Sequence, residues 1–129
     1  MPRLTSSLGA GVAVQTAVRH PGRVHGLMLL SPFTRLADVA AVHFPAFVAR
    51  PLVGDRYDSL AAAPRLPHPA LVLHGARDRI IPAAQGERLA GALGGPTRWV
   101  PVPGAGHNDL LGQEVVWREM ARFLDRAAR

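Results

Sequence analysis

Three short segments hold side chains that could do acyl-transfer chemistry. The first is Thr5-Ser6-Ser7-Leu8-Gly9, followed by Ala10 and Gly11. A serine hydroxyl becomes a nucleophile when a neighbouring base takes its proton. Small residues around Ser7 would let a strand turn sharply into a helix and lift the hydroxyl above a sheet, at the positive end of the helix dipole. Ser6 and Ser7 could equally do no more than cap that helix. The second segment is His74-Gly75-Ala76-Arg77-Asp78-Arg79-Ile80-Ile81-Pro82. Asp78 there could orient a base, or serve simply as a turn residue. The third is Pro103-Gly104-Ala105-Gly106-His107-Asn108-Asp109. Its glycines could swing His107 inward as a general base, or leave it facing solvent.

The elements between these segments decide among such readings. Apolar runs alternate with helical patterns, which predicts βαβ units and a mostly parallel sheet. Arg3-Leu4-Thr5 reads as the tail of a strand, and Gly9–His20 as a buried helix stopped by Pro21-Gly22. Gly26-Leu27-Met28-Leu29-Leu30 and Ala70-Leu71-Val72-Leu73-His74 are continuous apolar runs, suited to strands covered on both faces. Thr34 caps a helix to about Val42, and five prolines mark His43–Pro69 as a loop-rich excursion with two short helical patches. Pro82 opens a helix to about Leu93. Arg98–Val102 is a strand confined to a sheet edge, because Pro101 has no N–H for the ladder. Glu114–Arg129 is an amphipathic helix, with Val116, Met120, Phe123 and Leu124 on one face and Arg118, Arg122 and Arg126 on another.

Each chemical segment therefore follows a different strand. In an open parallel sheet the loops at the carboxyl ends of the strands converge on one edge. The order Ser7, Asp78, His107 is that of one of three triad arrangements. On these residues the chain resembles the C-terminal half of an α/β-hydrolase, in the serine-aminopeptidase-like and acyl-hydrolase branch. The Ser7-Leu8-Gly9-Ala10-Gly11 turn, the Leu30-Ser31-Pro32-Phe33-Thr34 strand exit, Leu73-His74-Gly75 with Asp78 and Pro82, and the Pro103–His107 loop carry the resemblance, which spans the whole chain.

The resemblance implies a single domain over residues 1–129, with 33–69 as a variable lid-like segment. It implies a partial α/β-hydrolase fold of three to four strands flanked by helices. It also implies hydrolysis of an ester or amide bond in a small-molecule substrate, as in esterases and peptidases. His107 would take the Ser7 proton, Asp78 would hold the imidazole, and the Leu8 N–H would be one oxyanion donor. No cofactor or metal is expected. His107 and Asp109 form a His-x-Asp pair without a third ligand at zinc spacing.

Thr5 stands where the elbow usually has glycine, and its β-branch crowds the turn. The family's first strands and its second oxyanion donor have no counterpart. The sequence thus predicts a truncated form with weak or no activity alone. The alternative is a non-catalytic half-domain that pairs with a missing N-terminal half, or with itself, through an exposed strand edge.

Composition narrows the remaining classes. The chain has 129 residues, 48% of them hydrophobic, no cysteine and net charge +6. Disulfides and cysteine-based metal sites are excluded. No apolar run reaches the length of a membrane span, and no clean signal peptide is read, which predicts a cytoplasmic protein. All 15 basic residues are arginine and they are scattered, as a GC-rich, bacterial genome would encode; nucleic-acid binding is not expected. His74 is read as structural, His68 as exposed and His20 as a helix-end residue. Trp99 and Trp117 are read as packing residues. Phe44, Phe47 and Val48 would line an acyl pocket or pack in the core.

Overall fold

A computed structural model describes residues 2–6, 17–19, 22, 25–32 and 58–127, with the backbone alone for 2–6. Strands β1 (Pro2–Ser6), β2 (Gly26–Leu30), β3 (Ala70–Gly75) and β4 (Thr97–Val102) form one sheet in the order β1-β2-β3-β4. Every neighbouring pair is parallel. Helix α1 (Ser59–Ala62) and a 3₁₀ turn at Ala63–Arg65 precede β3. Helix α2 (Ala83–Ala92) joins β3 to β4, and α3 (Glu114–Ala127) follows β4.

The sheet is parallel because each connection is long enough to return the chain to the same edge. Both faces are then covered, and the apolar runs divide by alternation. Leu27 and Leu29 of β2 with Ala70 and Val72 of β3 meet Leu89, Ala90 and Leu93 on one face. Met28, Leu30, Leu71 and Leu73 meet Val102, Leu110, Val116 and Met120 on the other. Each fully buried leucine contributes roughly 1.5–3 kcal/mol.

The expected strands and helices recur with small boundary shifts. β1 is a five-residue strand in register with all of β2, more than the stump expected from its short apolar content. Backbone pairing, which composition does not reveal, supplies the difference. Among the described residues β4 lies at the sheet edge, as Pro101 requires, and Pro101 stands opposite His74. Pro82 is the N-cap of α2 and not its first helical residue.

Three expectations need correction. His68 is buried, because the 64–69 segment is folded under Gly94 and Gly95. A Cβ on Gly95 would stand 2.2 Å from the His68 carbonyl oxygen. Trp117 is 54% exposed, held on the surface by its indole N–H donating to the Leu111 carbonyl at 2.7 Å. Leu124 also faces outward, because the apolar face of α3 narrows toward its end. The predicted helix at 34–42, His20 and the Phe44, Phe47 and Val48 group lie outside the described residues. Residues 17–19 are helical, within the span predicted for 9–20. No helix among the described residues is long and apolar enough to cross a membrane.

Candidate active site

Two loops at the carboxyl edge of the sheet are joined by backbone bonds. After β3 the chain turns, with the Asp78 N–H donating to the Gly75 carbonyl at 3.1 Å. The Ala76 N–H donates to the Val102 carbonyl, and the Arg77 N–H to the Ala105 carbonyl, each at 2.9 Å. The loop after β4 therefore lies across the loop after β3. Gly75 makes this possible: a Cβ there would stand 2.4 Å from the Ala105 oxygen. Gly104 takes φ +78°, a conformation that glycine adopts without penalty, and so turns the second loop back. Gly106 acts differently from the expected swing. Its N–H donates to Asp109 Oδ1, which closes the loop around His107.

Asp78 has no exposed side-chain surface. Its Oδ1 accepts the Ile80 N–H at 2.9 Å and the Ile81 N–H at 2.8 Å. Its Oδ2 accepts from His107 Nδ1 at 2.8 Å. Two amides thus aim one carboxyl oxygen, and the other is left to the imidazole. With Nδ1–H donating, a neutral His107 keeps its Nε2 lone pair for a proton. The His107 side chain is 15% exposed, open enough to exchange a proton with a neighbouring group. Asp78 and His107 are therefore brought together as the sequence predicts.

A third polar residue lies beneath them. His74 is wholly buried at the end of β3. Its Nε2 donates to the Ile81 carbonyl at 2.6 Å and lies 3.4 Å from Asp78 Oδ2. Burial holds its pKa below the ordinary value of 6.5, against the opposing pull of the Ile81 carbonyl and Asp78. The sequence reading placed His74 as structural and missed its contact with the acid loop. The i, i+4 spacing of His74 and Asp78, from the strand end across the 75–78 turn, was the available signal.

Ser7 and Leu8 lie outside the described residues. The strand that precedes them is placed: Ser6 pairs with Leu30, and Leu30 pairs with Leu73. β1 thus ends at the edge from which the Asp78 and His107 loops rise. Ser31, at the exit of β2 on this edge, is buried and takes φ +52°. A serine so placed stores roughly 1–3 kcal/mol of strain, which the surrounding packing must hold. Among the described residues no group of three or more His, Cys, Asp or Glu side chains is arranged to hold a metal ion.

A parallel sheet covered on both faces, with a buried acid and an imidazole on successive loops of its carboxyl edge, defines an α/β-hydrolase fold. A family model described as TAP-like protein matches residues 49–129. The chain belongs to this TAP-like family of α/β-hydrolases. An uncharacterised protein of Mycobacterium tuberculosis is 46% identical over 124 residues, covering 95% of this chain and 43% of the relative. Two solved structures share the fold. An acetyl xylan esterase from Paenibacillus superposes with a TM-score of 0.78 at 17% identity, over 97% of this chain and 44% of its own. A monoacylglycerol lipase from Paleococcus ferrophilus gives 0.72 at 20% identity, over 98% and 68%. The chain spans less than half the length of the curated relatives it matches.

Proposed function

We propose that the chain carries the Ser7–His107–Asp78 triad of a serine hydrolase that cleaves an ester or amide bond in a small molecule. The observation that carries this reading is the His107 Nδ1 to Asp78 Oδ2 bond at 2.8 Å, built on two loops beside the strand that leads into Ser7. In the proposed reaction His107 Nε2 takes the Ser7 proton as Oγ attacks the carbonyl carbon. Asp78 holds the imidazole in the tautomer that can do so. The Leu8 N–H stabilises the oxyanion. His107 then protonates the leaving group, and water releases the acyl group by the same steps in reverse. The ester side of the proposal draws support from the acetyl xylan esterase and the monoacylglycerol lipase.

A fluorophosphonate probe tests the triad directly, since phosphonylation needs the nucleophile and its base but little of a substrate pocket. Ser7 is expected to be labelled, and Ser7→Ala to abolish labelling. Asp78→Asn is expected to slow it on the order of 10⁴-fold, by favouring the wrong tautomer of His107. Labelling of the wild type and Ser7→Ala alike would overturn the assignment. Absence of labelling in the wild type would favour a second reading, a non-catalytic half-domain. That reading has its own support: β1 has a hydrogen-bonded neighbour on one side alone among the described residues, an edge on which a further strand could pair.

A further inference from the structure

His74 contributes nothing to a reaction by contact with substrate, yet it occupies a costly position. Its ring is fully buried, and among the described residues its Nδ1 has no hydrogen-bond partner. Such an atom bears the cost of leaving water unpaired, and a leucine would fill the same space without it. The arrangement around the ring shows what offsets that cost. The Ile81 carbonyl accepts from Nε2 at 2.6 Å, while the Ile81 N–H donates to Asp78 Oδ1 at 2.8 Å. One residue is thus held at its carbonyl by His74 and holds the acid at its amide. Nε2 also lies 3.4 Å from Asp78 Oδ2, the oxygen that His107 uses. Gly86 of α2 closes the other side: a Cβ there would stand 2.3 Å from Nδ1. The ring is therefore clamped between α2 and the acid loop, with one tautomer allowed. Nε2 must carry the proton, because it faces a carbonyl.

We propose that His74 is a positioning residue for the catalytic acid, fixing the Ile80–Ile81 amides and thereby the orientation of the Asp78 carboxylate toward His107. The proposal rests on the hydrolase reading of the site, but its test does not need turnover. Burial, which keeps His74 neutral, supports the role. A cationic ring would put a second N–H against Gly86 with no acceptor.

Three substitutions separate positioning from simple packing. His74→Gln places an amide nitrogen near the position of Nε2. His74→Asn is too short to reach the Ile81 carbonyl, and His74→Leu has no donor. The readouts are hydrogen exchange at the Ile80 and Ile81 amides and the low-field proton resonance of the His107 Nδ1–H bond to Asp78. In His74→Leu and His74→Asn the amides are expected to exchange at least about tenfold faster, and the resonance to be lost, while the rest of the sheet stays protected. His74→Gln is expected to keep both signals. Should His74→Leu fail to fold, the Asn and Gln pair decides. Wild-type exchange and resonance in the Leu or Asn variant would overturn the proposal, as would loss of both signals in the Gln variant. Fluorophosphonate labelling run alongside keeps the two ideas apart: an unlabelled wild type defeats the triad, while the exchange and resonance arms still judge His74.

Discussion

Asp78 and Glu119 are equally buried, each with 6% of its surface exposed, but they stand at opposite edges of the sheet and are held by different means. Asp78, on the carboxyl edge, is fixed by backbone amides and faces two imidazoles. Glu119, on α3, accepts from Arg98 Nε at 2.7 Å and Nη2 at 2.9 Å, near the start of β4, with Arg122 at 3.8 Å. A carboxylate forked to a guanidinium has its charge neutralised where it sits, and its contribution is to tie α3 to the sheet. A carboxylate held by amides keeps an oxygen for the imidazole of His107. The same residue class thus anchors a helix at one edge and orients an imidazole at the other.

The comparison breaks most completely at Gly75. An added methyl group there meets the Ala105 carbonyl, a backbone atom that cannot move without dragging the His107 loop off the Asp78 loop. Gly75→Ala is expected to cost about 3 kcal/mol, the upper end of overpacking, and to abolish fluorophosphonate labelling. Gly91→Ala is its control: nothing lies within 4 Å of a Cβ at that helical site. It should raise stability by about 0.5–1 kcal/mol, as chemical denaturation would measure.

Acid separates the two edges by pH window. The His74 pKa is lowered in the folded chain, so as pH falls below 6.5 the unfolded chain takes up a proton first. The stability this group supplies is complete above 6.5 and is lost as pH descends toward the folded pKa, by up to about 1.4 kcal/mol per unit. Glu119 is lowered as well, chiefly by the Arg98 hydrogen bond, so its contribution is complete above 4.5 and is lost further into acid. His74→Gln is expected to flatten the first limb of a stability–pH curve and to leave the second. An unchanged first limb would assign that acid sensitivity to another group.

What the sequence revealed followed from local pattern. Continuous apolar runs gave both central strands, Pro101 gave the edge, and Gly-rich turns after strands gave Asp78 and His107. These signals are legible because the covering of a sheet and the freedom of a turn are written in neighbouring residues. The rest depended on contacts between distant segments. His68 looks exposed between two prolines, but its backbone packs against Gly95, 27 residues further along the chain, and the residue is buried. The link from His74 to Asp78 through Ile81 depends on a backbone carbonyl, which has no letter in the sequence. Trp117 was misplaced for the opposite reason: its size suggested packing, while its N–H found a surface carbonyl.

Glu119→Gln keeps the shape of the side chain and removes its charge, leaving Arg98 and Arg122 to solvent. Both guanidinium groups are more than half exposed, so water recovers much of what the pair loses. The cost should be about 1 kcal/mol, more than a bare surface pair because the Glu119 side chain is only 8% exposed and its two bonds to Arg98 are well aligned. Labelling at Ser7 should not change, since Glu119 bonds Arg98 near the start of β4, at the end of the sheet opposite the Asp78 and His107 loops. A labelling rate that fell with Glu119→Gln by more than the loss of folded protein would mean that the two edges communicate, and that the helix anchor also sets the geometry of the His107–Asp78 pair.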